Sequence, residues 1–437
     1  MSWTKATRRR FLQGTAASVA AVTLVPARVL GLEGPPPSEK LSFACIGVGG
    51  RGGSHVGPAA THNLVALCDV DKNTLGSQAK KYPNAKTFQD YRRLFDAVGK
   101  EIDGVFVATP DHHHFFASRI ALQLGKHVYC EKPLTHSIWE ARQLTELAKK
   151  AKVATQMGNQ GMSSDATRLT AEFIEAGAIG NVTEAHVWTD RPQKWWPQGC
   201  TRPKDTPPVP ANIDWDLWLG PAPERPFHPC YLPFKWRGWW DFGTGALGDI
   251  GCHAMAPLFF ALGFAYPTAV ELIEEQGMTD ESGPQWSIIR YDFPARGNKP
   301  PYKLFWYDGL KKPPKPEELG SRELGEGGEL LIGDKGKMLP PRIIPEEKMK
   351  EFKRPAPTLP RVPKGDHHED FFLACKGVRP ASSDFSFAGP VAETVLAGNL
   401  ALRLKRRIEL DLPNLKAKNC PEADALIKRP YRKGWDA

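Results

Sequence analysis

The residues that most directly imply chemistry are glycines. Gly47-Val48-Gly49-Gly50-Arg51-Gly52 is a G-x-G-x-x-G motif at the end of a short apolar run, Leu41–Ile46. At the first turn of a βα unit such glycines permit a tight turn and the close approach of a pyrophosphate. The helix that follows offers free N–H groups and the positive end of its dipole. The motif alone is weak, but here a second apolar run, Asn63–Cys68, follows it and ends at Asp69, 22 residues after Gly47. A carboxylate at that point accepts bonds from the adenosine ribose hydroxyls and repels a 2′-phosphate, which favours NAD over NADP. Asp71 is the second candidate for the ribose and the better one for capping a helix that starts near Lys72.

Ligands of open α/β sheets sit beyond the C-terminal ends of the strands. Asp103–Ala108 reads as a fully buried parallel strand, so Thr109 and Pro110 should edge the cofactor. His112, His113 and His114 follow on what reads as a turn, before a helix from Phe115 to Leu124. Consecutive turn residues point in different directions, so no metal is expected, and His114 is the histidine expected to face the site. A further strand, Lys126–Cys130, runs into Glu131-Lys132-Pro133.

Glu131-Lys132-Pro133 after a fourth Rossmann strand, together with the pieces before it and Asp249-Ile250-Gly251-Cys252-His253 after it, resembles the Gfo/Idh/MocA oxidoreductase family. The resemblance spans roughly residues 40–415. It implies an α/β fold: an N-terminal Rossmann doubly wound parallel sheet, then a C-terminal α/β domain with a large open, mainly antiparallel sheet. It implies a cofactor site made of Gly47, Gly49, Gly50, Arg51, Gly52, Asp69, Thr109, Pro110, His114, Glu131, Lys132 and Asn159, with Gly158 beside it. It also implies that Lys132 contacts the reacting hydroxyl or carbonyl and stabilises charge there. Oxidising a secondary alcohol needs a hydride acceptor and a base for the hydroxyl proton. His253 titrates near neutrality and suits that role. Asp249, one helical turn earlier on the same face, could orient substrate hydroxyls. Taken singly, Lys132 reads as a surface lysine and Asp249 as a helix cap; the ordered set favours Lys132, Asp249 and His253 as catalytic.

These residues need a scaffold of two domains. Residues 41–160 read as the NAD(P)-binding domain. Residues 161–415 read as a substrate and oligomerisation domain, whose last helix, about 388–404, returns to the first. Residues 416–437 read as a tail. Helix Asp165–Ala176 leads to strand Thr183–Asp190, and further strands are expected at Ala269–Glu274, Trp286–Phe293, Tyr302–Tyr307 and Glu329–Ile332. The Pro-rich stretch 340–363 reads as extended loop. Residues 190–245 hold Trp195, Trp196, Trp215, Trp218, Trp236, Trp239 and Trp240, with Arg191, Lys194, Lys235, Arg237 and Asp241 interleaved. Aromatic faces beside polar groups suit sugar rings; most of these Trp are expected in a core and one or two in a pocket. His367 and His368 are expected at a helix N-terminus, with no catalytic role.

The chain opens with Thr7-Arg8-Arg9-Arg10-Phe11-Leu12 and an apolar run. Residues 1–34 resemble a twin-arginine signal peptide, with 35–40 as linker, and imply export to the periplasm by the twin-arginine translocase. The 437 residues, 41% hydrophobic and 24% charged, have an ordinary globular composition. The net charge of +9 forms no coherent basic stripe, so no nucleic-acid partner is expected. The eight cysteines lack C-x-x-C and zinc spacings. Cys45, Cys68 and Cys130 fall in buried strands, while Cys200 and Cys230 flank a loop and could pair.

The expected protein is an NAD(P)-dependent oxidoreductase acting on CH–OH groups of a sugar or cyclitol. An exported enzyme meets little free NAD, so the cofactor is expected to be tightly bound and recycled. The alternatives are a redox-assisted glycosidase that uses NAD, or a sugar-binding relic without catalysis. The family resemblance also implies a homo-oligomer, dimer or tetramer.

Overall fold

The structure, a computed structural model, describes residues 39–436. The signal-like segment 1–34 and most of the linker lie outside the described residues. Apolar runs separated by helices dictate a parallel sheet, because each crossover returns the chain to the same edge direction. β1 (Ser42–Ile46), β2 (Asn63–Cys68), β3 (Lys86–Phe88), β4 (Gly104–Val107), β5 (His127–Cys130) and β6 (Thr155–Met157) form it in the order β3-β2-β1-β4-β5-β6, all parallel. The order reverses between β1 and β4, and the crevice at their C-terminal ends is the binding position of such sheets. Ile46 pairs with Val107 there, and the Ala108 N–H donates to the Ile46 carbonyl at 2.8 Å.

The helices of this domain are α1 (Gly50–Thr61), α2 (Lys72–Lys81), α3 (Tyr91–Val98), α4 (Asp111–Gln123) and α5 (Ile138–Ala151). Asp71 caps α2 by accepting the Asn73 N–H. α4 starts at Asp111, four residues before the expected Phe115. Pro110 supplies its extended entry residue and Asp111 the first-turn negative charge. The three adjacent histidines therefore occupy a helical first turn, and all are buried.

The second domain begins with α6 (Asp165–Glu175) and β7 (Val182–Trp188), continues through α7 (Trp215–Leu219) and α8 (Gly245–Leu262), and then lays down β8 (Ala269–Gln276), β9 (Trp286–Phe293), β10 (Tyr302–Tyr307), β11 (Gly328–Gly333), β12 (Lys337–Leu339) and β13 (Arg342–Ile344). After α9 (Glu346–Glu351), α10 (His367–Cys375) and α11 (Phe385–Leu404) come β14 (Ile408–Asp411), β15 (Lys416–Ala417) and α12 (Asp424–Ile427). The sheet order is β13-β12-β11-β7-β10-β9-β8-β14-β15, antiparallel except for β7 beside β10. β9 alternates buried and half-buried residues along its whole length, as one face of a sheet covered by helices requires. α8 and α11 cover that face; the Tyr291 hydroxyl donates to the Val395 carbonyl of α11 at 3.0 Å. Both helices are long and apolar enough to cross a membrane, but 72% and 78% of their spans lie inside the fold, which makes them core helices.

Three expectations change. The Pro-rich stretch 340–363 contains β13 and α9, because the side chains of Ile343 and Ile344 bury and β13 pairs with β12. α10, expected in the second domain, closes the first: Phe371 and Phe372 join Phe43, Phe106 and Tyr129 in one cluster. The tail beyond 415 is docked. Trp435 is only 8% exposed, because Arg92 lies 4.5 Å over its ring and Phe116 packs at its edge.

Candidate functional site

The G-x-G-x-x-G turn is glycine for steric reasons visible in its neighbours. Gly47 has φ +78°, and a Cβ on it would lie 2.7 Å from the Ala108 carbonyl. A Cβ on Gly52 would sit 1.9 Å from the Gly47 oxygen. The turn is thus pressed against β4 and α1 is pressed against the turn. The N-terminus of α1 has no side-chain cap, and Gly49 and Gly50 line the crevice.

Asp69 stands at the end of β2. Its carboxylate accepts the Val48 N–H at 2.9 Å and the Asp71 N–H at 3.0 Å, which fixes it beside the glycine turn. Burial raises its pKa against those bonds. Asp71 is occupied elsewhere: it takes Asn73 N–H, the Thr74 hydroxyl and, at 2.7 Å, the Asn212 amide. Asp69 therefore keeps the free acceptor capacity of the two.

One cavity of about 570 Å³ runs from these residues to the ends of β4 and β5. Gly47, Gly49, Gly50, Arg51, Asp69, Thr109, Pro110, His114, Glu131 and Lys132 all line it. Its size is that of a cofactor site. The Thr109 hydroxyl is buried without a partner, an open hydrogen bond for a ligand group. Glycine turn, uncapped helix end, Asp69 and free hydroxyl together fit a dinucleotide. His114 is wedged between the Pro133 carbonyl (2.7 Å) and the Thr109 carbonyl (2.8 Å), so it ties the two strand-end loops together. His112 and His113 face the Trp218 carbonyl at 3.0 and 2.9 Å. Among the described residues no cluster of His, Cys, Asp and Glu has metal-binding geometry.

Glu131 is almost fully buried. It pairs with Arg51 (3.0 Å), His55 (2.9 Å) and the Gln160 amide (3.3 Å). Burial works to raise its pKa, but His55 and Arg51 outweigh this and hold it well below the usual carboxylate range. The next residue turns the other way: the Lys132 ammonium donates to Asp249 at 2.6 Å. Arg237, absent from the expected set, reaches the same oxygen at 3.0 Å. Burial of Asp249 is overcome by Lys132 and Arg237, and its pKa falls to about 2. Asp249 lies in the second turn of α8, which starts at Gly245, so it is not that helix's cap. His253, one turn further, is brought to about 4 by burial and by Lys132; it is neutral at pH 7. Asp111, hydrogen-bonded by the Thr244 N–H and hydroxyl, is pushed up to about 7 by burial and by Asp249.

Asn159, expected at the cofactor, is absent from the cavity lining. Its amide donates to the Cys252 carbonyl at 3.1 Å and joins the end of β6 to α8, while its Oδ1 stays buried without a partner. Gly158 passes so close to Glu131 that a Cβ would lie 2.6 Å from the carboxylate. His367 and His368 fasten α10 to the first domain: His367 contacts Ser163 at 2.5 Å and Met157 O at 2.9 Å, and His368 contacts His55 at 2.8 Å. Of the tryptophans, Trp239 and Trp240 are buried, Trp218 and Trp236 line the cavity, and Trp195 is 47% exposed beside a second hollow that Trp196 also lines. Cys200 and Cys230 are free thiols against one aromatic cluster.

Comparison with known proteins agrees with this arrangement. Residues 41–159 match the oxidoreductase family's NAD-binding Rossmann fold, and residues 173–298 match its C-terminal alpha/beta domain. The chain is 31% identical over 238 residues to D-glucoside 3-dehydrogenase of Escherichia coli (strain K12), covering 52% of this chain and 55% of that one. The chain thus spans about half the length of that first relative. It is 30% identical over 294 residues to inositol 2-dehydrogenase of Rubrobacter xylanophilus, covering 59% and 76%. Among solved structures, the WlbA dehydrogenase from Bordetella pertussis in complex with NADH and UDP-GlcNAcA shares the fold with a TM-score of 0.60 at 18% identity, over 85% of this chain and 99% of that one. The chain belongs to the Gfo/Idh/MocA oxidoreductase family, with an NAD-binding Rossmann domain and a C-terminal α/β domain.

Proposed function

We propose that this protein oxidises a secondary alcohol on a sugar or cyclitol by passing its hydride to a tightly held NAD, and that the hydride returns within the same catalytic cycle to a carbonyl of that sugar or of a second one. The observation that carries the reading is the Lys132–Asp249 pair of 2.6 Å at the end of the cavity that begins at the glycine turn and Asp69. When bound, NAD supplies the hydride acceptor. Lys132, aimed by Asp249, donates a hydrogen bond to the reacting oxygen and stabilises charge developing there. His253, neutral at pH 7, takes the hydroxyl proton. Arg237 lies over Phe234 and Trp236, at 4.1 and 4.3 Å from their ring centres, which gives this end of the cavity flat apolar faces beside a cation. Such a wall suits the C–H face and hydroxylated rim of a sugar ring. The names of the two relatives, a glucoside and an inositol dehydrogenase, support the substrate class.

The twin-arginine-like residues 1–34 support export of the folded, loaded protein to the periplasm, where a recycled cofactor is an advantage. The mature protein, purified and denatured, should release NAD in near-stoichiometric amount. Lys132→Met should keep the nucleotide and lose turnover on polyols. Turnover equal to wild type in that variant would refute the assignment.

A further inference from the structure

The cavity is roofed at its adenosine end by two segments foreign to the dinucleotide-binding fold. The first is 212–218. The Lys72 N–H donates to the Asn212 carbonyl at 2.9 Å, the Asp214 N–H donates to the Val70 carbonyl at 3.2 Å, and Ile213 pairs antiparallel with Asp71. The Asn212 amide adds its 2.7 Å bond to Asp71. This segment is therefore fastened to the three residues directly after Asp69, and Ile213, Leu217 and Trp218 turn into the cavity.

The second segment is the C-terminus. Arg432 grips both 212–218 and the loop that follows it: its Nη1 and Nη2 donate to the Asp216 carboxylate and carbonyl at 2.6 and 3.0 Å, and its Nε donates to the Gly220 carbonyl at 2.9 Å. Its own N–H donates to the Pro221 carbonyl at 3.1 Å. Arg429 and Tyr431 moor the segment to the first domain through Glu140, at 2.9 and 3.0 Å. Trp435 then reaches the cavity wall itself, edge-on to Tyr91 and His113.

We propose that Arg432 and Trp435 are cofactor-retaining residues: the C-terminal segment clasps 212–218 over the adenosine end of the cleft, and the dinucleotide leaves only when that clasp opens. The proposal rests on the reading that the cavity holds NAD. Each bond is individually modest, but a departing nucleotide must break them together, so the clasp acts on the dissociation rate more than on association. It gives the chain its own means of keeping a cofactor where free NAD is scarce.

The test uses the full mature chain, wild type and Arg432→Ala/Trp435→Ala, each loaded with NADH and chased with excess NAD while NADH fluorescence is followed. The wild type should carry its nucleotide through gel filtration, and the double variant should release it at least about tenfold faster. Wild-type binding is read first: a wild type that binds no NADH overturns the NAD reading and the clasp with it. A wild type that binds, with a double variant that releases at the same rate, overturns the clasp alone. Arg432→Lys, which loses the forked bonds but keeps the charge toward Asp216, is read in the same way should the double variant fail to fold; an unchanged release rate again refutes the proposal.

Discussion

The Lys132 ammonium and the Asp249 carboxylate meet at 2.6 Å although 117 residues separate them. One comes from the end of β5, the other from the second turn of α8, and both are nearly buried. The contact therefore registers the two domains against each other at the wall of the cavity, which Lys132 and Arg237 line. Arg237 shares the carboxylate, so Asp249 holds two cations in position at once.

Replacing Asp249 by Asn keeps the shape and removes the charge. Two buried cations then lose their counter-charge, which should cost about 3 kcal/mol of stability. Lys132 also loses its fixed direction, and turnover should fall roughly a hundredfold or more. Retention of nucleotide, which depends on the glycine turn, should persist. Thermal unfolding, turnover and released NAD measured on one preparation separate the three effects.

Gly52→Ala should be far more damaging than an ordinary surface change. The added methyl would fall 1.9 Å from the Gly47 carbonyl oxygen, so α1 must move off the turn. Overpacking of this kind costs about 1–3 kcal/mol, and the displaced helix end would no longer meet the pyrophosphate. NADH titration by fluorescence should show weakened binding even where the variant folds. An affinity equal to wild type would mean that the phosphate lies elsewhere.

Asp69→Ser should shift nucleotide preference. The carboxylate accepts the Val48 and Asp71 N–H groups and still has lone pairs for a ribose diol. With it gone, NAD should bind about tenfold more weakly, and the penalty against NADP should shrink. The ratio of the two dissociation constants reads this directly.

The Rossmann half was legible because its signals are local. Gly47 and Gly52 mark a turn whose geometry admits no side chain at either position, and β4 is an unbroken apolar run. Lys132 and Asp249 were legible as a pair only through the order of motifs, since nothing in their spacing states that they touch. Arg237 was visible only as one of several charges among tryptophans; its role depends on how a long insertion folds back, which local pattern does not encode. The same applies to α10, whose Phe371 and Phe372 pack on sheet residues Phe43, Phe106 and Tyr129 more than 240 residues away in sequence, and to Trp435, which reads as tail until Arg92 is found beneath it. Asn159 was placed at the cofactor by motif, but its amide is bonded to the Cys252 carbonyl.

Buried histidines make the protein acid-sensitive. His62, His113, His253 and His368 are all held down to about 4, in each case first by burial, against an ordinary value of 6.5. Between pH 6.5 and 4 the unfolded chain takes up protons that the folded chain refuses, so stability falls as pH falls through that window. Asp111, Asp308 and Glu329, raised to about 7 with burial as the first cause, work in the opposite direction over a similar range. Asp69 and Glu393, also raised by burial, join them, but all five are outnumbered, because His112, His114, His127, His136, His186 and His367 are shifted down as well. The melting temperature should therefore be lower at pH 5 than at pH 7. Activity should follow a different course. With His253 as the base, the acid limb of kcat/KM belongs to a group near 4 and not near 6.5, so turnover at pH 5.5 in short assays should stay close to its neutral value while stability is already declining. A limb at 6.5 in protein shown to be folded would remove His253 from the role of base.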